Sequence, residues 1–228
     1  MLWFDPAYML YVLIPTLIIS AGVQLYLSST YKKWSRVRNG AGETGAEVGR
    51  ALFARTSLEE IPLEQVGGRL SDHFDPRKNV VRLSKGVATE PSIASMAIVA
   101  HELGHVQQHQ EHSFLMVARG FLVPAVTVSP MVSYALVMGG LVFGATGLIW
   151  WGVAFYAVVV LFMLLTLPVE IDASRRGLTL LREAGFMQVQ ADAGGARAVL
   201  TAAALTYVAA AVTAIMQLVY LIFLAGRD

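Results

Sequence analysis

Apolar residues fall in four long runs, separated by segments of mixed polar character. The first covers about Tyr8 to Leu27 without a charge, and the second about Phe114 to Val142 with only Arg119 charged. The third covers roughly Thr146 to Val169 and the fourth roughly Ala198 to Leu224. At about 1.5 Å per residue each is long enough to cross about 30 Å of hydrocarbon, so the pattern predicts four transmembrane helices. Pro15 lies inside the first run, where a membrane helix tolerates it as a kink. A cleaved signal peptide is the rival reading of that run, but its basic residues follow it instead of preceding it. Gly139-Gly140 through Gly147 predicts a short uncharged turn between the second and third helices.

The polar segments add detail. Asn39-Gly40-Ala41-Gly42 reads as a linker, and Thr44 followed by Glu47 as a capping box opening a helix toward about Thr56. Gly67-Gly68-Arg69-Leu70-Ser71-Asp72-His73-Phe74 and Val80-Val81-Arg82-Leu83 read as two short strands, joined by a turn over Asp75-Pro76-Arg77-Lys78-Asn79. Thr89-Glu90-Pro91 opens another helix, with Pro91 in its first turn and its end near His112, close to the second membrane run.

Charge then orients the chain. Lys32, Lys33, Arg36 and Arg38 follow the first run, and Arg175, Arg176 and Arg182 lie between the third and fourth. By the positive-inside rule both termini are outside, and residues of about 29–113 and 170–196 are cytoplasmic. The composition agrees, with 56% hydrophobic and 14% charged residues in a 228-residue chain. A net charge of +1 gives no electrostatic footprint for a nucleic-acid partner. The absence of cysteine removes thiolate chemistry and leaves histidines and carboxylates as candidate transition-metal ligands.

One segment carries chemistry: His101-Glu102-Leu103-Gly104-His105. Helical residues four apart share a face, so His101 and His105 can present two imidazoles to one metal ion. Glu102 stands beside that ion as general base, taking a proton from a water that attacks a carbonyl. Gly104 leaves the backbone uncovered where a substrate or strand can approach. The bland alternative, a polar face of a surface helix, must explain two histidines and a glutamate after the apolar Ile93, Ala94, Met96, Ala97, Ile98, Val99 and Ala100.

Zinc needs a third protein ligand. His109 lies about 12 Å along the helix from His101, too far to close the site, and His112 is as poorly placed. Both read as solvated or headgroup-level residues. Glu170 is the best candidate, because the topology returns it to the face that holds the motif and a carboxylate at the hydrocarbon edge needs a reason. Its rival role is an interfacial cap; Asp172 is the alternative ligand, and Ser174 a hydrogen-bonding partner one turn on. Asp72, His73 and Asp75 are either turn chemistry or part of an edge strand that holds an extended peptide.

These residues resemble the YugP-type membrane zinc metallopeptidases, whose active-site plan is similar to that of the HtpX peptidases. The resemblance spans almost the whole chain: Phe4-Asp5-Pro6, Leu70-Ser71-Asp72-His73-Phe74-Asp75-Pro76-Arg77, the metal motif, Leu167-Pro168-Val169-Glu170 with Ala173-Ser174-Arg175-Arg176, and Ala204-Leu205-Thr206-Tyr207-Val208-Ala209. It implies zinc held by His101, His105 and Glu170, with Glu102 as general base. Related peptidases have Ala-Asp where this chain has Ala173-Ser174, so the carboxylate partner expected for one histidine is replaced. It also suggests Tyr207 as an oxyanion donor, against the simpler reading of an interfacial aromatic. Arg197 is either a substrate-holding cation or a topology anchor.

The fold expected is mainly α: a polytopic membrane protein with four transmembrane helices and a small α+β cytoplasmic part carrying a zincin-like helix. The divisions expected are 1–28 for the first membrane helix, 29–113 for the cytoplasmic segment with the motif and 114–169 for the next two membrane helices. A cytoplasmic helix with the third ligand follows over 170–196, then the last membrane helix over 197–228. The function expected is hydrolysis of peptide bonds at the cytoplasmic surface of the cell membrane, on membrane or membrane-associated polypeptides, as in protein quality control. A non-catalytic metal-binding scaffold is the alternative. A transporter is disfavoured by the lack of an inverted repeat or a mid-span charge.

Overall fold

The computed structural model describes residues 5–68 and 70–227; Phe4 of the opening triplet, Arg69 of the first predicted strand and Asp228 lie outside them. Among the described residues four helices are long and apolar enough to cross a membrane: α1 (Pro6–Trp34), α5 (Phe114–Phe143), α6 (Thr146–Glu183) and α7 (Gln190–Ala225). Between α1 and α5 lie α2 (Gly45–Arg55), β1 (Leu63–Val66), β2 (His73–Asp75), β3 (Val80–Ser84), α3 (Lys85–Thr89) and α4 (Ile93–Gln110). The chain divides into two compact units, and α1, α6 and α7 each contribute one part to each unit.

The first unit comprises residues 1–24, 114–168 and 206–228. Small residues let its helices approach: a Cβ at Gly152 would meet Val137 and the Ser133 carbonyl, and one at Gly140 would meet Ile149. Ser133 Oγ donates to the Gly152 carbonyl at 2.7 Å. The turn expected from Gly139 is shorter than predicted, because α5 runs on to Phe143 and the reversal falls at Gly144, whose φ is +60°. Pro15 does not break α1. A π-helical stretch over Met9–Leu13 precedes it, with Ile14 N bonded to Met9 O, and rerouted bonds of this kind accommodate the missing donor. Phe121, Phe143 and Trp151 of this unit stand exposed, as lipid-facing side chains do.

The second unit comprises residues 25–113 and 169–205. Its centre is α4, where Ile93, Ala94, Met96, Ala97, Val99, Ala100, Leu103 and Val106 are fully buried, so the helix is covered nearly all round. The predicted capping box at Thr44 and Glu47 is present at the head of α2. The start of α4 differs from expectation. Ser92 is its N-cap, its Oγ accepting from Ser95 N at 3.0 Å, and Pro91 precedes the cap instead of sitting in the first turn. Nor does α4 reach His112: it ends at Gln110, and His112 adopts a φ of +52°.

The sheet is three-stranded in the order β1-β3-β2, with β1 parallel and β2 antiparallel to β3. The strand predicted from Gly67 to Phe74 contracts to a strand beginning at His73, while β1 was missing from the sequence reading. Its Leu-Glu-Gln-Val has no clean alternation, and it is defined by backbone pairing with Val81–Ser84.

Glycines set the spacing around α4. A Cβ on Gly104 would collide with the carbonyl oxygen of Ala173 in α6, and one on Gly177 would lie 2.5 Å from the Ala100 carbonyl. The uncovered backbone at Gly104 therefore admits α6, not a substrate or strand. Gly104→Ala is expected to destabilise the protein by about 1–3 kcal/mol, as overpacking does, read as a lower Tm of the purified protein in detergent. An unchanged Tm would contradict this packing.

Candidate metal centre

His101 and His105 lie one turn apart on α4, with ring centroids 4.8 Å apart and planes at 80°. Glu170, on α6, brings its Oε2 to 3.3 Å from His101 Nε2 and 3.4 Å from His105 Nε2. One donor atom from each of the three lies within 4.8 Å of the others. A tetrahedral zinc with bonds of about 2.05 Å separates its ligand atoms by about 3.4 Å, and the two nitrogen–oxygen edges of this set match that spacing. Glu170 is only 3% exposed, which suits a carboxylate that meets a cation there.

Both histidines are held from behind. His101 Nδ1 is 3.1 Å from Ser174 Oγ, and His105 Nδ1 donates to Gln108 Oε1 at 3.0 Å. With each Nδ1 engaged, each Nε2 is the atom left to face Glu170. Ser174, the hydrogen-bonding partner expected one turn after Glu170, thus lies against His101. Gln108 was missed by the sequence reading; the only available signal was its position three residues after His105, one turn along the same face.

Glu102 is buried and its Oε2 accepts a 2.9 Å hydrogen bond from the Phe74 backbone N–H. Burial pushes its carboxyl above the ordinary carboxylate range, partly offset by His101 and His105. Burial works the other way on His105, but Glu170, with Glu102 and Gln108, together outweigh it and raise that imidazole above its usual value. A carboxylate with raised proton affinity beside two imidazoles is suited to accept a proton near neutral pH.

Other candidates have other occupations. Asp172 is not part of the three-residue group; it accepts from Gln108 Nε2 at 2.8 Å and from Arg176 Nε at 2.6 Å. Asp72 accepts from Ser84 N and Oγ, and Asp75 pairs with Arg82, which also reaches Glu64, so one arginine links all three strands. That arginine holds the Asp75 carboxyl below its usual range. His73 is exposed, its Nδ1 2.8 Å from the Ser71 carbonyl oxygen. These side chains serve the turn and sheet, while the Phe74 backbone between them faces Glu102. His109 is not simply solvated: it is half-buried, its ring 5.4 Å from that of Phe74. His112 and Arg197 are exposed. Tyr207 is half-buried on α7 and belongs to the first unit.

The family model described as "Putative neutral zinc metallopeptidase" matches residues 8–226. The chain belongs to this family. It is also 38% identical over 221 residues to the "Putative membrane protease YugP" of Bacillus subtilis (strain 168), covering 96% of this chain and 98% of that one. No solved structure matches it. Family membership makes zinc the metal to test at the His101, His105 and Glu170 group. Glu170→Ala is expected to leave the purified protein with well under one zinc per chain, and Asp172→Ala to keep one at saturating metal. Elemental analysis reads both; zinc retained in the first variant and lost in the second would reverse the choice of ligand.

Proposed function

We propose that this family member is a membrane-embedded zinc endopeptidase that hydrolyses peptide bonds at the cytoplasmic membrane surface. The observation that carries the reading is the convergence of donor atoms of His101, His105 and Glu170 within 4.8 Å, with the buried Glu102 following His101 in the chain. His101, His105 and Glu170 would hold the ion, which when bound supplies a Lewis acid that polarises the peptide carbonyl and acidifies water. Glu102 takes a proton as the water oxygen bonds to the carbonyl carbon, then delivers it to the amide nitrogen as the C–N bond breaks. The Phe74 N–H fixes one carboxylate oxygen and so limits the rotation of the base. Because β2 is an edge strand and Phe74 adjoins Glu102, an extended polypeptide laid along β2 would present its carbonyls beside the base.

The substrates we infer are membrane or membrane-associated polypeptides, in a quality-control role. The reading is supported by the four apolar helices and by the membrane protease to which the chain is similar. Glu102→Gln keeps the shape but removes the proton acceptor. It is expected to retain zinc and to lower cleavage of an unstructured reporter polypeptide by at least about 100-fold. Unchanged cleavage or biological activity with zinc bound would instead favour a scaffold that keeps the metal for structure.

Orientation is testable because the chain has no cysteine. With both termini outside, as Lys32, Lys33, Arg36 and Arg38 suggest, Ser57→Cys should react with an impermeant maleimide only after the membrane is opened. Labelling of intact cells would invert the topology.

A further inference from the structure

Gln108 is 1% exposed, yet all its side-chain polar atoms have partners. Its Nε2 donates to the Val169 carbonyl at 2.9 Å and to Asp172 Oδ2 at 2.8 Å. Both partners are acceptors only, so the amide nitrogen must face them; a flipped amide would set oxygen against two oxygens. The amide oxygen is thereby turned to His105 Nδ1, which must carry the proton of that 3.0 Å bond. A neutral imidazole with its proton on Nδ1 has its lone pair on Nε2, the atom that faces Glu170. The opposite tautomer could not bind a metal through Nε2.

We propose that Gln108 is a positioning residue for the zinc site: it selects the tautomer and ring orientation of His105 and couples them to correct seating of the Glu170 segment. The proposal rests on the reading of His101, His105 and Glu170 as the zinc ligands. Val169 directly precedes Glu170 and Asp172 follows two residues later, so the amide samples the backbone and a side chain on both sides of the third ligand. Asp172 is itself anchored by Arg176 Nε at 2.6 Å, and Arg176 Nη1 bonds Glu111 Oε2 at 2.6 Å. Glu111 is the C-cap of α4, so the chain of bonds leaves α4 at its end, passes through α6 and returns to α4 at Gln108 and His105. His101 has no equivalent control: a hydroxyl such as that of Ser174 can donate or accept, and so accommodates either tautomer. The selecting role thus falls to Gln108.

The test measures zinc affinity of the purified full-length protein in detergent by chelator competition, with the visible spectrum of the cobalt(II) form as a second readout. Gln108→Leu keeps the bulk without the amide and is expected to bind zinc about 10–100-fold more weakly, with an altered cobalt spectrum. Gln108→Glu should also bind weakly, because its carboxylate would face Asp172 and the Val169 carbonyl without a proton. Combining it with Asp172→Asn returns a donor to the pair and is expected to recover most of the lost affinity. A purely structural contact would not show this reciprocal rescue. Wild-type affinity and spectrum in Gln108→Leu, or a double variant no better than Gln108→Glu, would overturn the proposal. Should Gln108→Leu fail to fold, as judged by circular dichroism, the comparison of the single and double variants decides. A wild-type protein that takes up no zinc would refute the ligand reading itself, a result distinct from either failure.

Discussion

Two helix backbones have to come almost into contact for the site to exist. His101 and His105 sit on α4, and Glu170 arrives from a helix more than sixty residues later. The α4 backbone at Gly104 lies against the Ala173 carbonyl, and the Gly177 backbone of α6 lies against Ala100. Ala173 is three residues after Glu170, so the place of closest approach also positions the carboxylate. A side chain at either glycine would widen the gap, and a ligand set with edges of about 3.4 Å tolerates little widening. Gly104, inside the motif, therefore contributes by what it lacks.

That closeness carries an electrostatic cost. Glu102, His105, Gln108 and Glu170 are all buried in the same small volume, and buried polar groups are stabilised only when paired. Three are matched by hydrogen bonds: Phe74 N–H serves Glu102, Gln108 serves His105, and Val169 and Asp172 serve Gln108, while Glu170 Oε2 faces the Nε2 atoms of both imidazoles. A cation among the three donor groups would complete the balance, since two neutral imidazoles and one carboxylate leave it a net charge to offset. The sheet contributes through its backbone. Its charged side chains bind one another across Glu64, Arg82 and Asp75, while the Phe74 N–H bonds Glu102.

Much of this was legible in the sequence because it depends on period and spacing. The four apolar runs, the Thr44–Glu47 cap and the two histidines one turn apart are local patterns. Glu170 could be nominated because topology limits which carboxylates reach the motif. What was not legible depends on contacts between distant residues. β1 is a strand because β3 pairs with it, not because Leu63–Val66 alternates. Pro91 looked like a helix start, but the cap belongs to Ser92, whose hydroxyl meets Ser95. Gln108 offers no local pattern beyond its place one turn after His105, and its bonds emerge only when the fold brings Val169 and Asp172 beside it.

The most direct test of the central claim is X-ray absorption at the zinc edge of the purified, zinc-loaded protein. The account predicts a first shell of nitrogen and oxygen donors at about 2.0–2.1 Å, with outer-shell scattering from two imidazoles. The chain has five histidines, so the number is informative. Three or more imidazoles would bring in His73, His109 or His112, and none would remove the motif from the metal; either result would contradict a site built from His101, His105 and Glu170.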